Sequence, residues 1–261
     1  MASAIAFPAR RRPTRDPLRR WSLLLVAYGS AGPAGAAAEQ AAVLRAKGRF
    51  AAVDDCALHG PATLEVALEG LPPGPSLLLP FLMAEGHTLD HLERRLREHP
   101  SGLLCAVGRP LGTLPGLAEV MAQRAAAICA GRRWLPGETG LLLVGHGARR
   151  HAASGASLRR QAARLADLGG FAEVATAFLE QAPGVVEAAA AMTARHRLAL
   201  GFFADAGRHA GHDLPARLAE TAGGIVYAGP VGQDEALAEL LLREAEQTIG
   251  SASRAHDLER P

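Results

Sequence analysis

Two histidines and a glutamate stand where short apolar runs end in the second half of this 261-residue chain. His146 sits between Gly145 and Gly147, directly after the run 141–144. Glu180 follows Phe178 and Leu179, and His209 follows Gly207 and Arg208. Two imidazoles and a carboxylate suit a divalent transition ion and leave positions open for a substrate. The flanking glycines let the backbone and a planar ligand come close to His146. A single histidine after a strand is commonly structural, so the weight rests on three residues gathering at matching strand ends. His212, three residues past His209, reads as an auxiliary ligand or proton carrier. His87 and His91 are spaced for one helix face, but Thr88 stands where a metalloprotease helix needs its Glu. His59, His99, His151 and His196 read as surface residues.

Other chemistries lack their residues. Tyr28 occupies the glycine position of a nucleophile elbow around Ser30. No Gly-rich phosphate loop ending in Gly-Lys-Ser/Thr is present, and Gly29, Gly32 and Pro33 do not make a dinucleotide fingerprint.

The elements that must hold these residues repeat. Leu-Leu-Leu-Val-Ala-Tyr-Gly at 23–29 returns as Leu-Leu-Leu-Val-Gly-His-Gly at 141–147, an offset of 118. His87 answers His209 at 122. Arg109-Pro110-Leu111-Gly112 answers Gly229-Pro230-Val231-Gly232 at 120, as does Leu117-Ala118-Glu119 with Leu237-Ala238-Glu239. A period this long implies a duplicated domain rather than a solenoid. In the first half, strands are expected at about 22–27, 51–58, 76–80 and 102–107, with helices at about 34–47, 62–69, 88–98 and 114–130. In the second, strands are expected at about 140–145, 171–179, 197–201 and 224–228, with helices at about 152–167, 183–194, 212–221 and 233–248. Continuous apolar strands alternating with helices imply parallel sheets covered on both faces. Ligands of such sheets sit beyond the carboxyl ends of the strands. The expected layout is a basic tail at 1–20, one unit at 21–131, a linker at 132–139, a second unit at 140–250 and a polar tail at 251–261.

Composition narrows the classes. A net charge of +2 and 4% aromatic residues give no footing for nucleic acid. No apolar run is long enough to span a membrane. Three cysteines without a paired spacing fit a reducing compartment, so a cytoplasmic location is expected. The arginines at 10–20 followed by an apolar run imitate an export signal. The return of that run inside the chain argues that it is a strand instead.

Together, Leu-Leu-Leu-Val-Gly-His-Gly at 141–147, Phe-Leu-Glu at 178–180 and Gly-Arg-His-Ala-Gly-His-Asp-Leu-Pro at 207–215 resemble the sirohydrochlorin chelatases of CbiX type. The resemblance covers roughly 21–249 as two tandem units, a long form of the family. It implies an α/β fold of two Rossmann-like units, each a parallel sheet of about four strands flanked by helices. It also implies insertion of a divalent metal, Co²⁺ first and Fe²⁺ next, into an acidic tetrapyrrole. His146 and His209 would be the metal-binding and catalytic histidines, with Glu180 their acidic partner. Arg149, Arg150, Arg208 and Arg109 could pair with substrate carboxylates, and Tyr28 and His87 would contact the substrate. The first half departs from the pattern: Tyr28 replaces the first His, and His59 and Gly60 stand where the Glu is expected. No permanent cofactor is implied, since the ion is itself a substrate. Expected partners are the tetrapyrrole and the ion, with no nucleic acid or membrane, in a pseudo-two-fold monomer or a homodimer. A non-catalytic metal or tetrapyrrole carrier is the alternative.

Overall fold

The computed structural model describes residues 16–29, 35–60, 63–148 and 155–258. Its first half runs β1 (Ser22–Gly29), α1 (Ala36–Ala46), β2 (Ala52–His59), α2 (Leu64–Gly70), β3 (Ser76–Pro80), α3 (His87–Glu98), β4 (Cys105–Val107) and α4 (Leu117–Arg132). The second half repeats the order: β5 (Thr139–Gly145), α5 (Ala156–Leu168), β6 (Glu173–Phe178), α6 (Val185–Ala191), β7 (His196–Gly201), α7 (Leu214–Ala219), β8 (Val226–Pro230) and α8 (Leu237–Leu258). Two four-stranded sheets result, ordered β2-β1-β3-β4 and β6-β5-β7-β8. Every strand pairing is parallel.

The apolar runs are central strands because both of their faces are covered. Side chains alternate across a strand, and here alternate residues enter different cores. Leu23 and Leu25 join Leu141 and Leu143 in one large cluster with the buried faces of α1, α4, α5 and α8. Leu24 and Val26 pack outward under Leu64, Leu68, Leu92 and Leu96 of α2 and α3. Leu142 and Val144 pack outward under Val185, Ala189, Leu214 and Leu218 of α6 and α7. The halves therefore share a middle layer of helices between the sheets, and each keeps its own outer layer.

Matching polar ties cross that middle layer. The buried Gln40 of α1 donates from Nε2 to Asp234 O at 3.0 Å. Its counterpart Gln161 of α5 donates to Gly112 O and Leu114 O at 3.1 and 2.9 Å. Gly112 and Gly232 sit so tightly that a Cβ would stand 2.0 and 1.9 Å from the carbonyl oxygens of Met83 and Ala204. The landmarks at offset 120 are thus close backbone approaches.

Several expectations change. The segment from 251, read as a polar tail, continues α8 to Leu258. The end of the basic tail is anchored: Leu18 is 1% exposed, and Asp16 pairs with Arg49. The strand expected from 102 opens only at Cys105, because Pro100 starts a 3-10 turn through Leu104. The linker's last residue, Thr139, is a fully buried part of β5. His196 is half-buried, its ring stacked on Trp134 at 4.5 Å. Arg109 is engaged by Glu244 of α8, 4% exposed in its side chain, with Arg109 Nη2 2.6 Å from Oε2. A desolvated carboxylate needs that partner, so Arg109 serves the contact between halves instead of a ligand.

Candidate functional site

In a sheet ordered 2-1-3-4, the crossovers leave in opposite directions between the first and third strands, opening a crevice at their carboxyl ends. Tyr28 at the end of β1 and His87 after β3 flank that point in the first half. His146 after β5 and His209 after β7 flank it in the second. All four line one cleft of about 1260 Å³, together with Arg208, Asp205, Met83 and Phe203. The duplication thus turns both halves toward one space.

His146 and His209 meet there, with ring centroids 4.5 Å apart at 76°. Each ring is oriented through Nδ1. His146 Nδ1 lies 2.6 Å from Gly147 O, a carbonyl, so that nitrogen carries the hydrogen and donates it. His209 Nδ1 lies 2.9 Å from Asp213 Oδ2, another acceptor. Both contacts leave Nε2 as the lone-pair nitrogen, able to bind an ion or take a proton. Asp213 also meets His212 Nδ1 at 3.1 Å and Arg208 Nε at 3.7 Å. Hydrogen bonds from His212 and His209 hold its carboxyl below the usual carboxylate range. Asp213 is the functional residue that sequence reasoning gave no role, although its four-residue spacing from His209 on a helix was the available signal.

The backbone around His209 is a π turn, His209–Asp213, leading into α7. Such a turn takes one extra residue and is frequent at functional sites. The offset between the halves records that insertion. Phe81 N and Phe202 N donate to Val26 O and Val144 O, an offset of 121. The buried Leu92 and Leu96 match Leu214 and Leu218 at 122. Tyr227 Oη donates to Ala210 O at 2.9 Å, satisfying a carbonyl within the turn. A Cβ on Gly211 would meet Ala206 O at 2.4 Å.

Glu180 is tied beside His146 by its backbone, its N–H donating to His146 O at 2.9 Å. It lines a shallower adjoining pocket with Gln181 and Arg159, not the main cleft. Among the described residues, no three His, Cys, Asp or Glu side chains stand as a ready ligand set for an ion. Arg208 is exposed at the cleft, while Arg149 and Arg150 lie outside the described residues.

The first half holds a different cluster at the equivalent place. Strand register pairs Val26 with Cys56 and Val144 with Ala177, so β2 matches β6 at an offset of 121. His59 therefore occupies the position of Glu180, and His91, next to Leu92, occupies that of Asp213. Tyr28 meets His59 edge-on at 5.1 Å, and His59 stacks on His91 at 5.9 Å and 8°. Arg94 Nη2 lies 2.7 Å from His91 Nδ1. Desolvation, followed by the charges of Arg94 and Arg95, holds the His91 imidazole below its ordinary value. Arg95 is neutralised by Glu65, whose carboxyl it draws down to about 2, and also donates to Leu58 O at 2.7 Å. His59 is thus a surface residue, as expected, but one fixed in a ring cluster at the cleft's edge.

Residues 140–248 match the family model described as CbiX. A relative from Halobacterium salinarum, named a probable sirohydrochlorin cobaltochelatase, is 27% identical over 150 residues, covering 52% of this chain and 51% of that protein. The chain thus spans about half the length of the curated relative it matches. The solved structure of CbiX, described as the terminal enzyme for biosynthesis of siroheme in denitrifying bacteria, has a TM-score of 0.70 at 27% identity. It covers 87% of this chain and 99% of its own. A multi-domain protein from Deinococcus radiodurans with structural similarity to chelatases has a TM-score of 0.75 at 24% identity over 87% of this chain and 55% of its own. The resemblance noted in the motifs is borne out, and so is the fold of two parallel four-stranded sheets flanked by helices.

Proposed function

We propose that this protein inserts a divalent metal ion, Co²⁺ first and Fe²⁺ next, into an acidic tetrapyrrole of the sirohydrochlorin type. The observation that carries the reading is the pair His146 and His209, 4.5 Å apart at a shared cleft, each oriented so that Nε2 is the free lone pair. The similarity to proteins named sirohydrochlorin cobaltochelatase and CbiX supports the substrate class. The first of those names favours cobalt, and the association of the second with siroheme biosynthesis keeps iron next.

Insertion replaces two pyrrole N–H protons by one dication. The ion and the protons must be handled in turn, because a metal-bound imidazole nitrogen is no longer a base. In this reading His146 and His209 hold the ion, with Glu180 beside His146 completing its shell or receiving a proton. As the ion passes to the ring nitrogens, each imidazole regains its lone pair and can take a pyrrole proton. Asp213 keeps His209 in the useful tautomer and stabilises its protonated form. Arg208, with Arg149 and Arg150, meets substrate carboxylates. Tyr28 and His87 contact the ring from the opposite half. No permanent cofactor is needed, and the ion is a substrate. The shared middle layer fits a monomer with pseudo-two-fold sites, and three free thiols fit the cytoplasm. The altered first-half residues favour a second reading, a carrier that binds ion and ring without turnover.

Anaerobic mixing with sirohydrochlorin and Co²⁺, Fe²⁺ or Ni²⁺, followed in the visible spectrum against protein-free controls, separates the two. Multiple turnovers that disappear in His146→Ala support the chelatase. Stoichiometric binding without turnover leaves the carrier.

A further inference from the structure

The equivalent positions in the two halves carry opposite chemistry. Where the second half has Glu180 and Asp213, the first half has His59 and His91. Tautomers differ as well as residue types. Arg94 approaches His91 Nδ1 at 2.7 Å, and a guanidinium can only donate. That nitrogen must therefore be the acceptor, and Nε2 carries the hydrogen. His146 and His209 present lone pairs, whereas His91 presents an N–H. A lone pair binds a cation; an N–H beside a guanidinium binds an anion.

The local charge agrees. Among the described residues Arg94 is paired with His91 rather than with a carboxylate. The neighbouring acids are committed elsewhere: Glu65 to Arg95, Glu85 to Arg160 and Glu93 to Arg97. Asp90 precedes His91 by one residue and so is turned about 100° around α3 from it. The cluster begins where the cleft ends, since Tyr28 lines the cleft and touches His59.

We infer that His59, His91 and Arg94 form a carboxylate-binding subsite at the first-half rim of the cleft, which seats an acidic side chain of the tetrapyrrole while the second half holds the ion. The inference rests on the proposed chelatase reading and adds a division of labour: the first half has exchanged cation ligands for anion donors. A ring anchored by its carboxylates at one rim is thereby offered to Nε2 of His146 and His209 at the other.

The test measures the binding of metal-free sirohydrochlorin by fluorescence quenching, with Co²⁺ uptake measured separately by equilibrium dialysis. His59→Glu with His91→Asp, which installs the second half's residues, should weaken ring binding roughly tenfold or more. Arg94→Ala, an exposed change that spares the fold, should weaken it in the same direction. His91→Gln, which keeps an N–H donor, should retain most of the binding. Co²⁺ uptake at His146 and His209 should stay unchanged in His91→Gln and Arg94→Ala. Unchanged ring affinity in both the paired swap and Arg94→Ala overturns the inference and leaves the chelatase reading standing. So does a second Co²⁺ in the wild type that vanishes in His59→Ala with His91→Ala. A wild type that binds no sirohydrochlorin overturns the chelatase reading. In that event citrate replaces the ring, and the inference stands or falls on whether it shifts the His59 and His91 imidazole proton resonances.

Discussion

At the carboxyl end of β5 and β7, two imidazoles face each other with lone pairs directed by Gly147 O and Asp213; at the same end of β1 and β3, a phenol and a row of imidazoles lead to an arginine. The supporting structures are nearly superposable in kind: equal strand orders, crossed glutamines, and glycines pressed on equivalent carbonyls. Function has diverged where the scaffold has not. In a homodimer every substitution appears twice, so a site that needs one cation and one anion end cannot specialise its ends. A tandem chain can change His59 and keep Glu180.

The largest expected effect falls on the cation end. His146→Ala with His209→Ala should lower the catalysed insertion rate by about 10²–10⁴-fold, with the uncatalysed rate subtracted. Full activity in that variant breaks the comparison outright.

Asp213→Asn should weaken Co²⁺ binding about 10–100-fold, read by dialysis, because the amide no longer enforces the His209 tautomer. The sign with pH follows from the carboxyl's lowered titration. Its bonds to histidine are present above its ordinary value of about 3.9 and are lost only as pH falls through the lowered one. The carboxylate is therefore ionised on both sides of the histidine range, and the two affinities are compared near pH 8, above the ordinary histidine value of about 6.5, where protons compete least with the ion.

The scaffold should respond alike in both halves. Gly112→Ala and Gly232→Ala each force a Cβ onto a carbonyl oxygen, and each should cost about 1–3 kcal/mol by chemical denaturation. A marked difference between them would show that the symmetry of the supporting structure is only apparent. Gln40→Ala and Gln161→Ala should form a second matched pair at about 1–3 kcal/mol, the cost of buried carbonyls left without their donor.

The smallest effect is expected at Tyr28. Tyr28→His restores the residue type of the second half, yet His59 and Arg94 remain. Co²⁺ stoichiometry by dialysis should stay at the wild-type value, and a gained ion would make Tyr28 alone the reason for the asymmetry.

Much of this was legible in the amino-acid order. The runs at 23–26 and 141–144 had to be central strands, because only a doubly covered parallel strand tolerates such continuous apolarity. His146, Glu180 and His209 could be named because strand ends are where such sheets bind ligands. Other features depended on contacts distant in sequence. Arg109 resembled a ligand-binding arginine until Glu244, 135 residues away, was seen to hold it. The motif left both His59 and Gly60 at the place of the missing Glu; strand register settles on His59, because three residues enter between β5 and β6 and move the offset from 118 to 121, and the π turn that adds one more farther on has no sequence signature of its own. Helix α8 outlasts its apolar period, and its polar last turns read as a tail.

The helices between the two sheets have a consequence during synthesis. Chains emerge from the ribosome N-terminus first. When residue 132 has been made, α1 and α4 already offer Ala36, Leu44, Leu117 and Met121 toward helices that do not yet exist. The nascent first half is thus a greasy hemisphere awaiting its other half. A truncation ending near residue 135 should therefore bind hydrophobic dyes and precipitate, and co-expressing the missing piece should rescue it.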